Sequence, residues 1–185
     1  MATLITIDDM KGTVQLQMDD CTEDLFDEIR DEWQDCYIYK LLGAELGDLF
    51  IADYDANSPT TLTPRFQAIF DKFQKDVDEC ISFAGYDYTV FNGKLVKSRG
   101  IKKYIEYIVW FYFARNNNVI ISLAGNKVSL GENSTPSADG FNLARNFNKA
   151  IDTGRAIQWY ICNNEDGHEY PEYNGQHLDY VIPNG

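Results

Sequence analysis

The segment from Ser98 to Arg115 constrains the fold more than any other part of this chain. Ile101, Tyr104, Ile105, Ile108, Val109, Tyr112 and Phe113 recur at steps of three and four, which is the spacing of a helix with a broad apolar face. Ser98 can cap its start. A face that wide needs cover from several neighbours, so the helix is expected at the centre of the body. Its most apolar part, Ile105 to Ala114, is interrupted by Glu106 and preceded by Lys102 and Lys103. It therefore falls short of the roughly 20 apolar residues that cross a bilayer and reads as a core helix.

The flanking sequence supplies elements to cover it. Thr6 can cap a short helix over Ile7 to Lys11, with Asp8 and Asp9 near its N-terminal dipole and Gly12 ending it. From Thr22, an acidic amphipathic helix carries Leu25, Phe26, Ile29, Trp33, Cys36, Tyr37, Lys40 and Leu41 and ends near Gly43. Leu46, Leu49, Phe50 and Ile51 continue it after a break, and DYDANSPTTLTP reads as a loop. Thr63 and Pro64 open a further helix with Phe66, Ile69, Phe70 and Phe73 on its buried stripe, expected to run to about Val77. Between Cys80 and Lys97 the only pattern is Tyr86, Tyr88, Val90, then Asn92-Gly93, then Leu95 and Val96, consistent with a small irregular hairpin. After Asn118, the β-branched run Val119 to Ile121, a turn at Ala124-Gly125-Asn126, and Val128 and Leu130 predict a hairpin projecting from the helical body. Ser137 can cap a last long helix carrying Phe141, Ala144, Phe147, Ile151, Ala156, Ile157 and Ile161, with Gly154 marking close packing or a kink.

The expected fold class is thus mainly α: a helical bundle with a projecting β-hairpin between the last two long helices and an extended C-terminal tail. Residues 1–161 form the helical domain, with the hairpin at about 119–130, and residues 162–185 form the tail or arm. In that tail Gly167, Pro171, Gly175 and Pro183 punctuate Tyr170, Tyr173 and Tyr180. Solitary aromatics in an extended arm dock either in a neighbour or back on their own domain. With 185 residues and 44% hydrophobic content the chain can bury a sizeable single core. The start MATLITIDDMKG lacks the basic region, apolar run and cleavage site of an export signal, so synthesis and folding inside the cell are expected.

Little in the chain suggests chemistry. Cys21, Cys36, Cys80 and Cys162 are far apart, without a Cys-x-x-Cys pair, and read as free thiols. His168 and His177 sit among acids in the tail, but their spacing matches no known metal site, and nothing brings a thiol to His168 for nucleophilic work. The acid pairs Asp8-Asp9, Asp19-Asp20 and Asp78-Glu79 point in different directions on any regular element and read as solvated. Phosphate-binding, esterase and dinucleotide signatures are missing. No catalytic residue, no cofactor and no metal are therefore assigned, and a non-enzymatic protein is expected. The net charge of −13 disfavours tight binding of duplex DNA and suits a conduit or a coat better than a reader of sequence. Lys94, Lys97, Arg99, Lys102 and Lys103, with Phe91 and Tyr104 nearby, form the one basic cluster, and in so acidic a chain they are expected to meet acidic protein surfaces.

The order LITIDDMKG, TEDLFDEIRDEWQDCYIYKLLG, IKKYIEYIVWFYFAR, VIISLAGNKVSL and ADGFNLARNFNKAIDTGRAIQWYI resembles the head-to-tail connector proteins of tailed bacteriophages, nearest to those of crAss-like and related phages of Bacteroidetes. The likeness covers residues 4 to 161 in pattern. The segment from Asp53 to Lys97 is longer than the simplest connectors carry, and the tail after Cys162 has no counterpart. The resemblance implies a homo-oligomeric ring, commonly of about twelve copies. It would dock on the portal and adjoining tail or ring proteins at the portal vertex of the virion. DNA would pass through its channel without specific binding, no membrane would be involved, and the chain would be made in the host cytoplasm. The candidate interface residues are Val119, Ile121, Leu123, Asn126 and Val128 of the hairpin and Tyr170, Tyr173 and Tyr180 of the tail. The alternative expectation is a soluble non-enzymatic binding module that engages a protein partner through the hairpin or the tail.

Overall fold

The structure is a computed structural model that describes residues 3–12, 20–57, 59–76, 81–83, 86–88, 95–117, 119–122, 125–128 and 139–180. Among these residues the fold is mainly α, with five helices: α1 (Asp20–Leu42), α2 (Ala44–Ala56), α3 (Pro64–Phe70), α4 (Gly100–Asn117) and α5 (Asp139–Cys162). The six short strands are β1 (Phe73–Asp76), β2 (Ile81–Phe83), β3 (Tyr86–Tyr88), β4 (Leu95–Ser98), β5 (Val119–Ser122) and β6 (Gly125–Val128). They pair antiparallel in three separate ribbons, β1 with β4, β2 with β3 and β5 with β6. The β5–β6 hairpin lies between the last two long helices, where the β-branched run placed it.

Helix α4 is the central element. Ile101, Tyr104, Ile105, Ile108, Val109 and Phe113 are almost wholly buried, and Tyr107 and Trp110 are buried as well. It packs against both α1 and α5, more extensively than those two pack on each other. Against α1 the contact is aromatic: Trp33 stacks flat on Tyr112 with ring centroids 3.7 Å apart, and Phe26 meets Phe113 edge-on at 5.8 Å. Ser98 holds the start of α4 as its sequence position suggests, its Oγ accepting from the Gly100 amide at 3.1 Å. Gly100 has φ +83°, and a Cβ there would lie 2.0 Å from the Phe70 carbonyl oxygen. Only glycine permits that approach.

The same approach explains where α3 ends. The helix expected to reach Val77 stops at Phe70, and Asp71 turns to extended backbone. Phe73 then opens β1 and pairs with Ser98, so the aromatic spacing that continues the stripe belongs to a strand instead. Tertiary pairing with the chain entering α4 outweighs the local helical pattern. Tyr86 and Tyr88 pair back on β2 rather than across Asn92-Gly93, a turn that lies outside the described residues. The loop expected over 53–64 is shorter than its composition implied, because α2 runs on to Ala56. In the hairpin after α4, Ser122 stands opposite Gly125, so Gly125 and Asn126 belong to the strand and not to the turn.

The C-terminal segment has no long regular element after α5, yet it is not a free arm. Helix α1 ends with carbonyls that lack partners of their own. The Asn174 amide donates to the Leu42 carbonyl at 3.3 Å and the Gln176 amide to that of Lys40 at 2.7 Å. Between them, buried Gln158 of α5 donates to the Leu41 carbonyl at 3.2 Å and to that of Gln176 at 2.8 Å. Tyr170 and Leu178 are part of the core, so packing runs through residue 161 without a break. Close packing is also the role of Gly154, where a Cβ would lie 2.6 Å from Leu178 Cδ1 and 2.9 Å from Tyr104 Cε2.

Replacing Gln158 with Leu removes the donor shared by two carbonyls, one of them buried against α1. We expect Gln158→Leu to lower stability by about 1–3 kcal/mol, read from the urea midpoint, and to speed proteolysis after residue 173. An unchanged midpoint would show that Gln158 does not hold the segment.

Candidate interaction surfaces

The residues expected to make an interface fall into two groups with different fates. In the hairpin, Val119 stands opposite Val128 and Ile121 opposite Asn126, so the fold brings four of the five positions into two facing pairs. Leu123 lies outside the described residues. In the tail, Tyr170 is only 5% exposed, and its hydroxyl donates to the Arg65 carbonyl at 2.6 Å. Burial pushes its phenol well above the usual range. Tyr173 is half-buried against the core. Tyr180 is 39% exposed, but its hydroxyl donates to Asp152 at 2.6 Å and Arg155 lies 4.1 Å from the ring centroid. Arg155 in turn donates to the Leu178 carbonyl through Nε at 3.0 Å and Nη2 at 2.6 Å. The tail aromatics thus serve their own body, and Tyr170 is removed from any surface.

The basic cluster is rearranged too. Tyr104 is fully buried, while Lys94 and Phe91 lie outside the described residues. Lys102 is drawn to Asp9 at 2.7 Å, and Lys103 pairs with Glu106 one turn on. Burial raises the Glu106 carboxyl above its ordinary range, with Lys103 opposing the shift. The sequence reading missed two contributors from α5, Arg145 and Lys149. The cations of Arg99, Lys103 and Lys149 surround the ring of buried Tyr107 at 5.8, 5.7 and 5.8 Å from its centroid, and Arg99 donates to its hydroxyl at 2.5 Å. The Lys149 amine is lowered by burial and then by the like charges of Arg145 and Arg99. A signal was present in the four-residue step from Arg145 to Lys149, but only the fold brings it to Arg99. An open cleft of about 580 Å³ adjoins this patch, lined by Phe70, Asp71, Lys72, Arg99, Lys102, Lys103 and Glu106.

The remaining chemical candidates stay apart. Cys36 and Cys162 are free thiols, and burial pushes the Cys162 thiol up to about 11, away from the reactive thiolate. His177 Nε2 lies 3.2 Å from Asp179, and among the described residues no three metal-capable side chains gather. Also among them, no helix is long and apolar enough to cross a membrane. No protein-family model, curated protein or solved structure matches the chain.

Two measurements check this picture. Tyr170→Ala should cost about 3 kcal/mol or more, as for other large core truncations, while Tyr180→Ala should cost about 1 kcal/mol or less; equal small losses would mean that the tail is loose. For the second, burial raises the Asp9 carboxyl, but the hydrogen bonds from Lys102 and Thr6 outweigh it and leave the group below its ordinary value. A carboxylate depressed in the folded state stabilises above its unfolded pKa of about 4 and loses that contribution as the pH falls through the lowered folded value. Asp9→Asn should therefore flatten the acid limb of a stability profile measured between about pH 2 and 5. An unaltered acid limb would contradict the pairing.

Proposed function

We propose that the chain is a structural subunit of a head-to-tail connector ring in a tailed bacteriophage, docked on the portal and surrounding the channel through which the genome passes. The observation that carries this reading is the β5–β6 hairpin lying in the chain between the central helix α4 and the last helix α5, with the acidic helix α1 also packed on α4. This is the order in which the sequence resembles connector proteins. The charge of −13 agrees with a wall that does not grip a passing polyanion. A ring closes through heterologous contacts between identical subunits, and such contacts use surface complementarity in place of catalytic groups. In this reading the portal and the adjoining tail or ring proteins are the partners, the hairpin reaches one of them, and the virion neck is the site of action.

Cryo-electron microscopy with mass spectrometry of particles purified from the source of the chain tests the proposal. The expected result is this chain as a closed ring between portal and tail, with the hairpin at an inter-ring contact. Absence from mature particles would overturn the proposal and leave a soluble binding module that uses the hairpin.

A further inference from the structure

Charge is segregated in this fold to a degree that the net value conceals. Helix α1 carries eight carboxylates and two cations, whereas α4 and α5 together carry six cations and three carboxylates. On α1, buried Arg30 already holds Asp27 at 2.5 Å and Asp31 at 2.8 Å. Of the others, Asp24, Glu28 and Glu32 are all exposed and stand in steps of four residues, so they form a row with about 6 Å between neighbours. Like charges at that spacing repel. No cation pairs with any of the three among the described residues.

The basic patch is the matching case. Arg145 and Lys149 are also four residues apart, and Arg99 is close enough to both α5 and Tyr107 to depress Lys149. Among the described residues none of these three cations has a carboxylate partner: Arg99 bonds the Tyr107 hydroxyl, and Lys149 bonds the Asn146 carbonyl oxygen at 2.9 Å. The two rows do not pair with each other within one molecule: among the described residues no ion pair joins them.

We propose that the patch formed by Arg99, Arg145 and Lys149 is the docking site for the Asp24, Glu28 and Glu32 face of α1 in a second copy of this chain. The inference rests on the ring reading above and names the surfaces that join neighbouring subunits. Two different faces of one body make a heterologous contact, which repeats from copy to copy until it closes. The four-residue step from Arg145 to Lys149 matches each step of the acidic row, so one turn of α5, with Arg99 beside it, meets the row on α1. A nucleic acid would contact the patch but would face the whole acidic surface around it, which favours the protein partner. Because these charges, apart from half-buried Lys149, are exposed, the association should be fast and sensitive to salt.

Sedimentation velocity of the full chain, at roughly 50 mM and roughly 500 mM salt, tests this with two charge-reversed proteins, Arg145→Glu/Lys149→Glu and Glu28→Lys/Glu32→Lys. Circular dichroism and melting confirm that each is folded. We expect the wild type to self-associate at low salt and to weaken about tenfold or more at high salt. Each variant alone should weaken by about tenfold or more, and an equimolar mixture of the two should associate again, because each reversed face finds its complement on the other protein. Three results would overturn the inference: a wild type that stays monomeric at low salt and high concentration, variants that associate like the wild type, or a mixture that does no better than its parts. Binding of a labelled DNA duplex that is lost only in Arg145→Glu/Lys149→Glu, without self-association, would assign the patch to nucleic acid instead. None of these touches the presence of the chain in virions, so the ring reading fails separately, by its absence from particles.

Discussion

At Gly154 three elements meet with no room for another carbon. Tyr104 of α4 and Leu178 of the C-terminal segment both press on the same point of α5, and a side chain there would overlap both. The contact makes the central helix, the last helix and the tail mutually dependent. It also fixes the level at which the tail runs, and from that level its backbone amides reach the end of α1. A helix end buried without partners is unfavourable, so capping by a segment more than 130 residues away in sequence ties the acidic helix to the rest of the body. Close packing at one glycine and hydrogen bonding at one helix terminus thus complete the core.

That arrangement determines which surfaces remain for association. Tyr170, buried in the core of its own subunit, cannot lace subunits together. What the body offers outward includes the acidic row on α1 and the basic patch where α5 meets the start of α4. The two charged faces lie on different elements and form no ion pair with one another among the described residues, so they are complementary yet not neutralised by each other in one copy.

Much of this was legible in the sequence. The periodicity of α4 and α1, the cap at Ser98 and the hairpin position all follow from local pattern, because each is set by residues close together in the chain, whereas Gly154 signalled a tight site without naming Tyr104 and Leu178 as its neighbours. The missed features are non-local. Phe73 fits a helical stripe as well as a strand, and only pairing with Ser98 decides between them. Arg145 and Lys149 look like ordinary solvated charges until α5 is laid beside Arg99. Nothing in the spacing of Tyr170, Tyr173 and Tyr180 distinguishes an arm from a strap, since the deciding partners, Arg65 and Asp152, are distant in sequence for one and on another element for the other.

The central claim is that residues 170–178 belong to the folded body of a single subunit, leaving the helices and hairpin to meet neighbours. Hydrogen exchange of the isolated monomeric chain tests it most directly. The Asn174 and Gln176 amides should exchange as slowly as those of the core of α1, with which they share hydrogen bonds. Exchange of these two amides at the rate of an unfolded chain, while α1 and α4 stay protected, would contradict the account and return the tail to the role of a free arm.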